Sequence, residues 1–435
     1  MKSDKWKSCR EDMIILIFSL YLYLDYILSF TLFNNGIYED YREYGSFMSY
    51  SYYSSLNGIG LLMKWLLISC YPVIILNMIS CGYDKNKIKK RYILCGFEGW
   101  LYEIFNSSSL LNFFIILEYS ILPLIYIIIE EGGENKYYSI YRIFLYTLFG
   151  SIFMLSYIIF YYNRFGTFML YNLDLYYMRL MSIGFLIGLL IKIPIYPFHG
   201  WLPHAHIDAP SYGSMLLGGI LLKIGTYGYI VLLDYIYDEI FILCCISMTK
   251  NSIEIIREID IKKIIAYSSI IHMSLGLIGL SSYNREGFCG GILMSLGHGW
   301  ISCGLFKIIG EIQIRYGFRS IMYLRGLKER SNKELMIYLL FNSGFPFGTG
   351  YISEIMIIYG IYNEFKYFTS FIILSILLCL IYTISLINRI IYGKYSMIRE
   401  ENKYEIEHLG NIGLYTYILK TGICCTLEIS MMSLC

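Results

Sequence analysis

Long apolar runs recur along the whole chain and constrain its fold more than any other feature of the sequence. Residues 367–392, YFTSFIILSILLCLIYTISLINRIIY, hold a single charged residue, Arg389, near their end. An apolar stretch of about 20 residues is long enough to cross the hydrocarbon core of a bilayer as a helix. Because such runs fill most of the sequence, we expect an all-α polytopic membrane protein with about thirteen or fourteen transmembrane helices.

The composition and the positions of the runs agree with this class. The chain is 57% hydrophobic and 16% charged, whereas soluble domains carry about 25% charged residues. A net charge of +2 argues against nucleic acid as a partner. The predicted helices cover residues 13–33, 56–79, 93–105, 110–129, 138–161, 178–197, 211–233, 240–256, 261–280, 287–312, 335–362, 367–392 and 412–432. Residues 34–55 are predicted to form a polar connection.

The charges of the loops predict an orientation for these helices. Loops 84–91, 257–263 and 315–333 are rich in Lys and Arg and fall on one side of the membrane when the helices are counted alternately. The acidic loop 130–136 also falls on that side, but acidic residues weigh little in the positive-inside rule. The basic side is therefore expected to face the cytoplasm or the mitochondrial matrix.

Two lysines interrupt the apolar pattern around one proline-rich segment, residues 192–223, KIPIYPFHGWLPHAHIDAPSYGSMLLGGILLK. Lys192 closes one apolar run and Lys223 lies inside the next. A lysine at the centre of a membrane helix costs about 2.5–3.5 kcal/mol, so it persists where it faces a protein or water interior. Proline frees backbone carbonyls that need a similar environment. The segment therefore predicts an ion or proton path.

Three blocks of sequence carry a resemblance to a known family. They are KIPIYPFHGWLPHAHIDAPSYGS, DIKKIIAYSSIIHMSLGLIGL (260–280) and SLGHGWISCGLFKIIGEIQIRYGFRS (295–320). They resemble the antiporter-like membrane subunits of the proton-pumping NADH:quinone oxidoreductase, respiratory complex I. The likeness runs from about residue 110 to 393, and the first hundred residues resemble the family only faintly. It implies an antiporter-like fold with two inverted repeats and discontinuous helices near Lys192 and Glu354.

This resemblance divides the chain into four parts. Residues 1–92 are the divergent N-terminal membrane helices, and residues 93–233 are the first antiporter-like half. Residues 234–393 are the second half, and residues 394–435 hold a C-terminal loop and a last membrane helix. Each half has one helix interrupted by Pro or Gly, a layout typical of inverted repeats with a site at mid-membrane. The second interruption is NSGFPFGTG (342–350).

The resemblance also implies which residues carry protons. The set consists of Glu118, Lys192, Lys223, His272, His298 and Glu354. On the family's pattern, Glu118 pairs with Lys192, and Lys223 is the central carrier, 31 residues beyond Lys192. Sister chains 2 and 5 of the family tend to have lysine where this chain has Glu354. Histidine titrates near neutral pH and suits a relay.

Structural alternatives remain open for these residues. Glu118 could bind a backbone group or a tyrosine hydroxyl in a packing role, and Lys192 could extend to the interface from a helix end. The two histidines could be satisfied core residues, and Glu354 could cap a helix. Lys307 departs from the apolar residue that the family pattern leads us to expect, and it is predicted to pair with Glu311.

The sequence offers little for metal or cofactor chemistry. The 12 cysteines include no CxxC motif and are read as small apolar filler within helices. His199, His204 and His206 have spacings that fit no common metal-ligand pattern. No glycine-rich nucleotide loop follows a strand. We expect no metal and no cofactor in this chain, with NADH, FMN, iron–sulfur clusters and quinone bound by partner subunits.

The resulting functional prediction is a proton-translocating membrane-arm subunit of NADH:ubiquinone oxidoreductase, an enzyme in which this chain performs no redox chemistry. The resemblance implies other membrane-arm subunits as partners, including chains 2 and 5, together with membrane lipids. The Tyr- and Ile-rich composition favours an organelle-encoded protein of the mitochondrial inner membrane. The alternatives are a cation/proton antiporter subunit of the Mrp type and a structural membrane spacer without transport.

Overall fold

A helical bundle without a β-sheet makes up the described part of the chain. The computed structural model describes residues 22–27, 47–80, 87–107, 109–169, 179–231, 238–326, 330–346, 348–362 and 365–393. Within these ranges the only extended pairings are two isolated bridges, Ser109 with Met169 and Asp260 with Ser320. The predicted helix at 412–432 lies outside the described residues, and so does the helix at 13–33 apart from a helical stretch at 22–27.

The helices follow the order that the apolar runs predict. They are α1 (Phe47–Ser80), α2 (Lys87–Ile104), α3 (Leu110–Tyr119), α4 (Ile121–Glu131), α5 (Lys136–Phe165), α6 (Arg179–Lys192), α7 (Trp201–Asp208), α8 (Ser211–Leu216), α9 (Leu222–Val231), α10 (Asp238–Arg257), α11 (Ile261–Leu280), α12 (Arg285–Tyr316), α13 (Arg330–Asn342), α14 (Thr349–Tyr362) and α15 (Lys366–Ile390). A π-helical turn, Leu217–Leu221, joins α8 to α9.

Helices of membrane-crossing length and apolarity confirm the polytopic class. Six of them occur in the described ranges: Gly58–Met78, Leu110–Glu131, Lys136–Phe165, Ile261–Leu280, Arg285–Tyr316 and Lys366–Ile390. The span Leu110–Glu131 consists of α3 and α4, which are separated by Ser120. Pro123 explains this kink, because its ring displaces the carbonyl one turn earlier and its nitrogen cannot donate a hydrogen bond.

Two predicted boundaries are wrong at the N-terminal end. Helix α1 begins at Phe47, within the segment predicted to be a polar connection, and α2 begins at Lys87, inside the predicted basic loop 84–91. Tyr and Ser lower helix stability by less than about 0.7 kcal/mol per residue, and Lys is a good helix former. Lys90 is buried and forms an ion pair of 2.6 Å with Glu131, which compensates its charge within α2.

Helix α12 lies at the centre of the bundle and packs against α11, α14, α8 and α1. Close contact with α11 depends on glycine, since a Cβ added to Gly291 would lie 2.7 Å from the carbonyl oxygen of Gly276. Small residues let membrane helices approach in this way. His298, near the middle of α12, is consequently held in the interior, where it is 3% exposed.

Candidate proton-carrying site

Lys192 and Glu118, the first predicted pair, form an ion pair. Lys192 is the last residue of α6, and its Nζ lies 3.2 Å from Oε1 of Glu118, which stands near the end of α3. The predicted pairing is therefore confirmed. The pair is less enclosed than predicted, because in the isolated chain the Lys192 side chain is 10% exposed and the Glu118 side chain 25%.

Helix α6 ends at Lys192 because the following residues cannot continue it. Pro194 and Pro197 lack the N–H that a helix requires, and the chain passes through turns into a short 3₁₀ helix, Phe198–Gly200. The indole Nε1 of Trp201 donates a hydrogen bond of 3.0 Å to the carbonyl of Ile191. A carbonyl freed by the break is thereby satisfied, and the predicted discontinuity is confirmed.

A small cavity separates Lys192 from the helix segments that carry Lys223. Its volume is about 30 Å³, room for about one or two water molecules. Lys192, Ser120 and Thr147 line it, together with Leu217 and Leu221 from the π-helical turn. The cavity thus reaches from Lys192 to the turn that precedes Lys223.

Lys223 is completely buried, and its ammonium group contacts two groups. The Nζ donates to the carbonyl of Gly218 at 2.6 Å and lies 2.8 Å from Nδ1 of His298. Gly218 belongs to the π-helical turn, an element that frequently occurs at functional sites. The sequence identified no structural use for Lys223, and this hydrogen bond is one. The two roles are compatible, because one nitrogen can hold a carbonyl and exchange a proton with a histidine.

The two predicted histidines lie side by side beyond Lys223. The ring centroids of His272 and His298 are 5.7 Å apart. His272 is 6% exposed, one of its nitrogens lies in hydrogen-bonding range of the Asn342 backbone, and its Nε2 has no partner among the described residues. A buried ring nitrogen of this kind is suited to bind a water molecule or a proton, which favours the relay role over that of a satisfied core histidine.

Glu354 lies in the first turns of α14, next to the second helix interruption, which separates α13 from α14. It is 8% exposed and packs against Gly344, whose φ is +72°. A Cβ on Gly344 would lie only 2.4 Å from Oε2 of Glu354, so the carboxylate occupies space that glycine leaves open. No hydrogen bond or ion pair to Glu354 occurs among the residues that the structure describes. The predicted discontinuity near Glu354 is confirmed.

Asn342 and Tyr382 form a polar contact next to His272, and the sequence did not single them out. The Asn342 Nδ2 donates to the Tyr382 hydroxyl at 3.0 Å. Tyr382 is buried on α15, a helix that packs against α14, which carries Glu354. Asn342 opens the interrupted segment NSGFPFGTG, and a polar amide at the end of an apolar run was the available signal.

Lys262 is a further buried lysine that the sequence reading left without a role. It is 2% exposed, and its Nζ donates to the carbonyl of Ala209 at 2.6 Å. Arg319 similarly donates from Nη1 to the carbonyl of Ile207 at 2.7 Å. Both carbonyls lie at the C-terminal end of α7, where the partial negative charge of a helix attracts cations. Lys262 and Arg319 therefore fix the broken helix in place.

The histidines of the proline-rich segment do not assemble into a metal site. His206 is fully buried and stacks on the ring of Phe306, with centroids 4.3 Å apart, while His204 packs edge-on against Tyr138. Within the described ranges, no group of three or more His, Cys, Asp or Glu side chains could hold a metal ion. The predicted contact of Lys307 with Glu311 is present at 4.0 Å.

Comparison with known sequences identifies the family of this chain. The family model described as NADH:quinone oxidoreductase/Mrp antiporter, TM, matches residues 107–379. NADH-ubiquinone oxidoreductase chain 4 of Acanthamoeba castellanii is 32% identical over 402 residues, which covers 87% of this chain and 80% of the relative. NADH-quinone oxidoreductase subunit M of Rickettsia felis is 32% identical over 354 residues, covering 76% and 72%.

Solved structures share the fold at lower identity. A chain of respiratory complex I from Thermus thermophilus superposes with a TM-score of 0.74 at 22% identity, covering 83% of this chain and 79% of that chain. A chain of the Mrp complex from Dietzia sp. DQ12-45-1b has a TM-score of 0.78 at 16% identity, covering 91% and 78%. The antiporter-like fold is thereby confirmed, and the chain belongs to the NADH:quinone oxidoreductase/Mrp antiporter membrane family.

Proposed function

We propose that the chain is a proton-translocating membrane-arm subunit of NADH:ubiquinone oxidoreductase, equivalent to the relatives named chain 4. The observation that carries the proposal is the contact at 2.8 Å between two buried groups, Lys223 directly after the π-helical turn and His298 near the middle of α12. A buried lysine is costly unless it has a function or a partner. Relatives that share about a third of the sequence bear the names of complex I subunits.

Proton movement in this proposal runs along the line of buried groups. Lys223 gives its proton to His298, whose ring neighbours His272, and the proton continues through water and polar side chains to Glu354. The distances of 2.8 Å at the first step and 5.7 Å between the histidine rings support one direct transfer and one transfer through water. Each step transfers a proton and no electron.

The Glu118–Lys192 pair is proposed to control Lys223 electrostatically. When the pair is closed at 3.2 Å, the two opposite charges largely cancel at a distance. When it opens, Lys192 presents a net positive charge toward the π-helical turn across the small cavity. A change of nearby charge alters the proton affinity of a buried lysine, so opening and closing the pair would load and unload Lys223.

The energy and the redox chemistry are proposed to come from partner subunits. NADH, FMN, iron–sulfur clusters and quinone would be bound there, and the sister antiporter-like chains 2 and 5 would be neighbours in the membrane arm. The similarity to chain 4 of the eukaryotes Acanthamoeba castellanii and Marchantia polymorpha supports a multi-pass protein of the mitochondrial inner membrane, encoded in the organelle. Membrane lipids would cover the remaining apolar surface.

A cation/proton antiporter subunit of the Mrp type is the second candidate function. The fold similarity to the Mrp complex of Dietzia favours it, but at 16% identity this similarity concerns the fold alone. The more similar sequences carry complex I names. A structural spacer without transport would be expected to lose ionisable groups that are costly to bury, whereas Lys223, His298 and Glu354 are all buried here.

Purification of the native assembly tests the proposal. The chain is tagged, the membranes are solubilised in a mild detergent, and the captured complex is identified by mass spectrometry and assayed for NADH:ubiquinone reductase activity. We expect the activity and the sister chains to be captured together with this chain. Capture with Mrp-type subunits and no quinone reductase activity would favour the antiporter, and capture of the chain without either set would favour the spacer.

A further inference from the structure

A second group of charged side chains lies in the part of the chain that precedes the family match. Lys64 on α1 is 5% exposed, and its Nζ lies 4.9 Å above the ring centroid of Tyr102 on α2. The Tyr102 hydroxyl donates to Oδ2 of Asp25 at 2.6 Å. Glu103 follows Tyr102 on α2. One buried cation thus lies over a ring whose hydroxyl is bonded to a carboxylate, and a second carboxylate stands on the next residue of α2.

The position of Lys64 places this group between Lys223 and one end of the bundle. Ser69, five residues further along α1, accepts a hydrogen bond of 2.8 Å from Trp300 of α12, close to the histidine that contacts Lys223, and five residues of helix span about 7.5 Å. In the other direction, Gly60 packs against the carbonyl of Phe105, just past the end of α2. Lys64 therefore stands about one helical turn from the level of that end.

The end of the bundle near Phe105 lies on the side opposite to the basic loops. Helix α2 begins at Lys87, and its Lys90 pairs with Glu131 at the end of α4, on the side of the basic loops. Helix α2 then runs to Ile104 at the other side. Asp25 is half-buried and Glu103 is exposed, so the group reaches from the interior to the surface on the side away from the basic loops.

A static anchor does not require a lysine in this place. The contact with Tyr102 could be made by any cation and the packing by any long apolar side chain, yet the chain places an ammonium group in a buried stretch of α1 whose neighbours are Met63, Leu66 and Leu67. A lysine so placed is costly and marks an ion or proton pathway when it has carboxylates beside it. Unlike arginine, lysine can release its proton when buried.

We propose that Lys64 is a further proton-carrying residue, which passes protons between Lys223 and the Asp25–Tyr102 pair at the surface opposite the basic loops. The proposal rests on the proposed function, since it presumes that Lys223 carries protons. This route is a second exit from Lys223 beside the one through His298: one proton moves from the Lys223 ammonium through bridging water to the neutral Lys64 amine. It then leaves the Lys64 ammonium for the Asp25 carboxylate, through water or the Tyr102 hydroxyl. Each step balances with one proton and no electron.

Four variants test this assignment in native membranes that hold matched amounts of assembled complex. Lys64→Met removes the titratable group, Lys64→Arg keeps a positive charge that is not released, and Tyr102→Phe keeps the ring but removes the hydroxyl. Lys223→Met reports on the proposed function itself. The measurements are the proton-to-electron ratio, the rate of quinone reduction and the amount of assembled complex.

The variants separate a carrier from an anchor. We expect both Lys64→Met and Lys64→Arg to lower the pumping rate to less than about half of its normal value, because neither side chain exchanges a proton, and Tyr102→Phe to lower it as well. Normal pumping in Lys64→Arg would make Lys64 an anchor and overturn the proposal. If Lys64→Met does not accumulate, Lys64→Arg and Tyr102→Phe decide, and normal pumping in either refutes the carrier role.

Failure of the proposed function gives a different result. If Lys223→Met pumps normally, the central role of Lys223 is wrong and the path from it to Lys64 is withdrawn with it. If Lys223→Met stops pumping while the Lys64 variants pump normally, only the Lys64 assignment is wrong.

Discussion

Replacing Lys223 by methionine should stop proton pumping while leaving the assembly of the complex nearly unchanged. The change removes the hydrogen bond to the Gly218 carbonyl and the contact with His298. A buried group left without its partner costs about 1–3 kcal/mol. The neutral side chain also avoids the insertion cost of a mid-membrane lysine, about 2.5–3.5 kcal/mol. Because methionine adapts its shape to irregular interiors, the two effects should nearly cancel.

The assay compares function and assembly in the same membranes. Assembled complex is quantified on native gels, and the proton-to-electron ratio and the rate of quinone reduction are then measured per assembled complex. If this chain is tightly coupled to the redox partners, quinone reduction should fall together with pumping. Lys307→Met is the matched control, because Lys307 lies on α12 beside Glu311, nine residues beyond the proposed carrier His298.

Two outcomes would refute the reasoning about Lys223. An unchanged proton-to-electron ratio and turnover in Lys223→Met would remove this lysine from the path and leave the structural spacer as the better account. Loss of the assembled complex in Lys223→Met, with normal assembly in Lys307→Met, would show that the hydrogen bond to Gly218 is the main contribution of Lys223.

Three further predictions concern the ion pair, the second interruption and the helix packing. Glu118→Gln should lower pumping and reduce the amount of assembled complex, because Lys192 is left without a counter-charge at a cost of about 1–4 kcal/mol. Adding Lys192→Met should restore assembly but not pumping, and independent effects of the two changes would exclude coupling of the pair. Gly344→Ala should lower the thermal unfolding midpoint of the purified complex, because a Cβ at φ +72° costs about 1–2 kcal/mol and would meet the carboxylate of Glu354. An unchanged midpoint would contradict the described contact. Trp300→Phe should weaken the packing of α12 on α1 by about 1 kcal/mol, since it loses the 2.8 Å hydrogen bond to a serine hydroxyl of α1 while keeping an aromatic ring. Limited proteolysis should then cleave α1 faster, and cleavage at the normal rate would argue against the prediction.

The candidate site was largely predictable where its residues stand out in an apolar background. Lys192, Lys223 and Glu354 each interrupt a long apolar run, so the cost of burying a charge marks them without any knowledge of the fold. The resemblance to the family then supplied the partner of Lys192. Sequence reasoning missed Lys262 because it lies at the start of an apolar run, where a lysine is ordinarily expected to reach water. It also missed Lys64, which lies inside a predicted helix, in the part of the chain that resembles the family only faintly.

The sequence by itself determined the order of the apolar helices, their main interruptions and several of the buried charges. Apolar length decides which segments cross a membrane, and proline and glycine decide where a helix cannot continue, so both are properties of neighbouring residues. The tertiary structure alone decided that Lys223 meets His298, 75 residues away in the chain, and that α12 lies at the centre. Such contacts depend on how whole helices are ordered, rotated and brought close by small residues, and many distant residues together determine that arrangement.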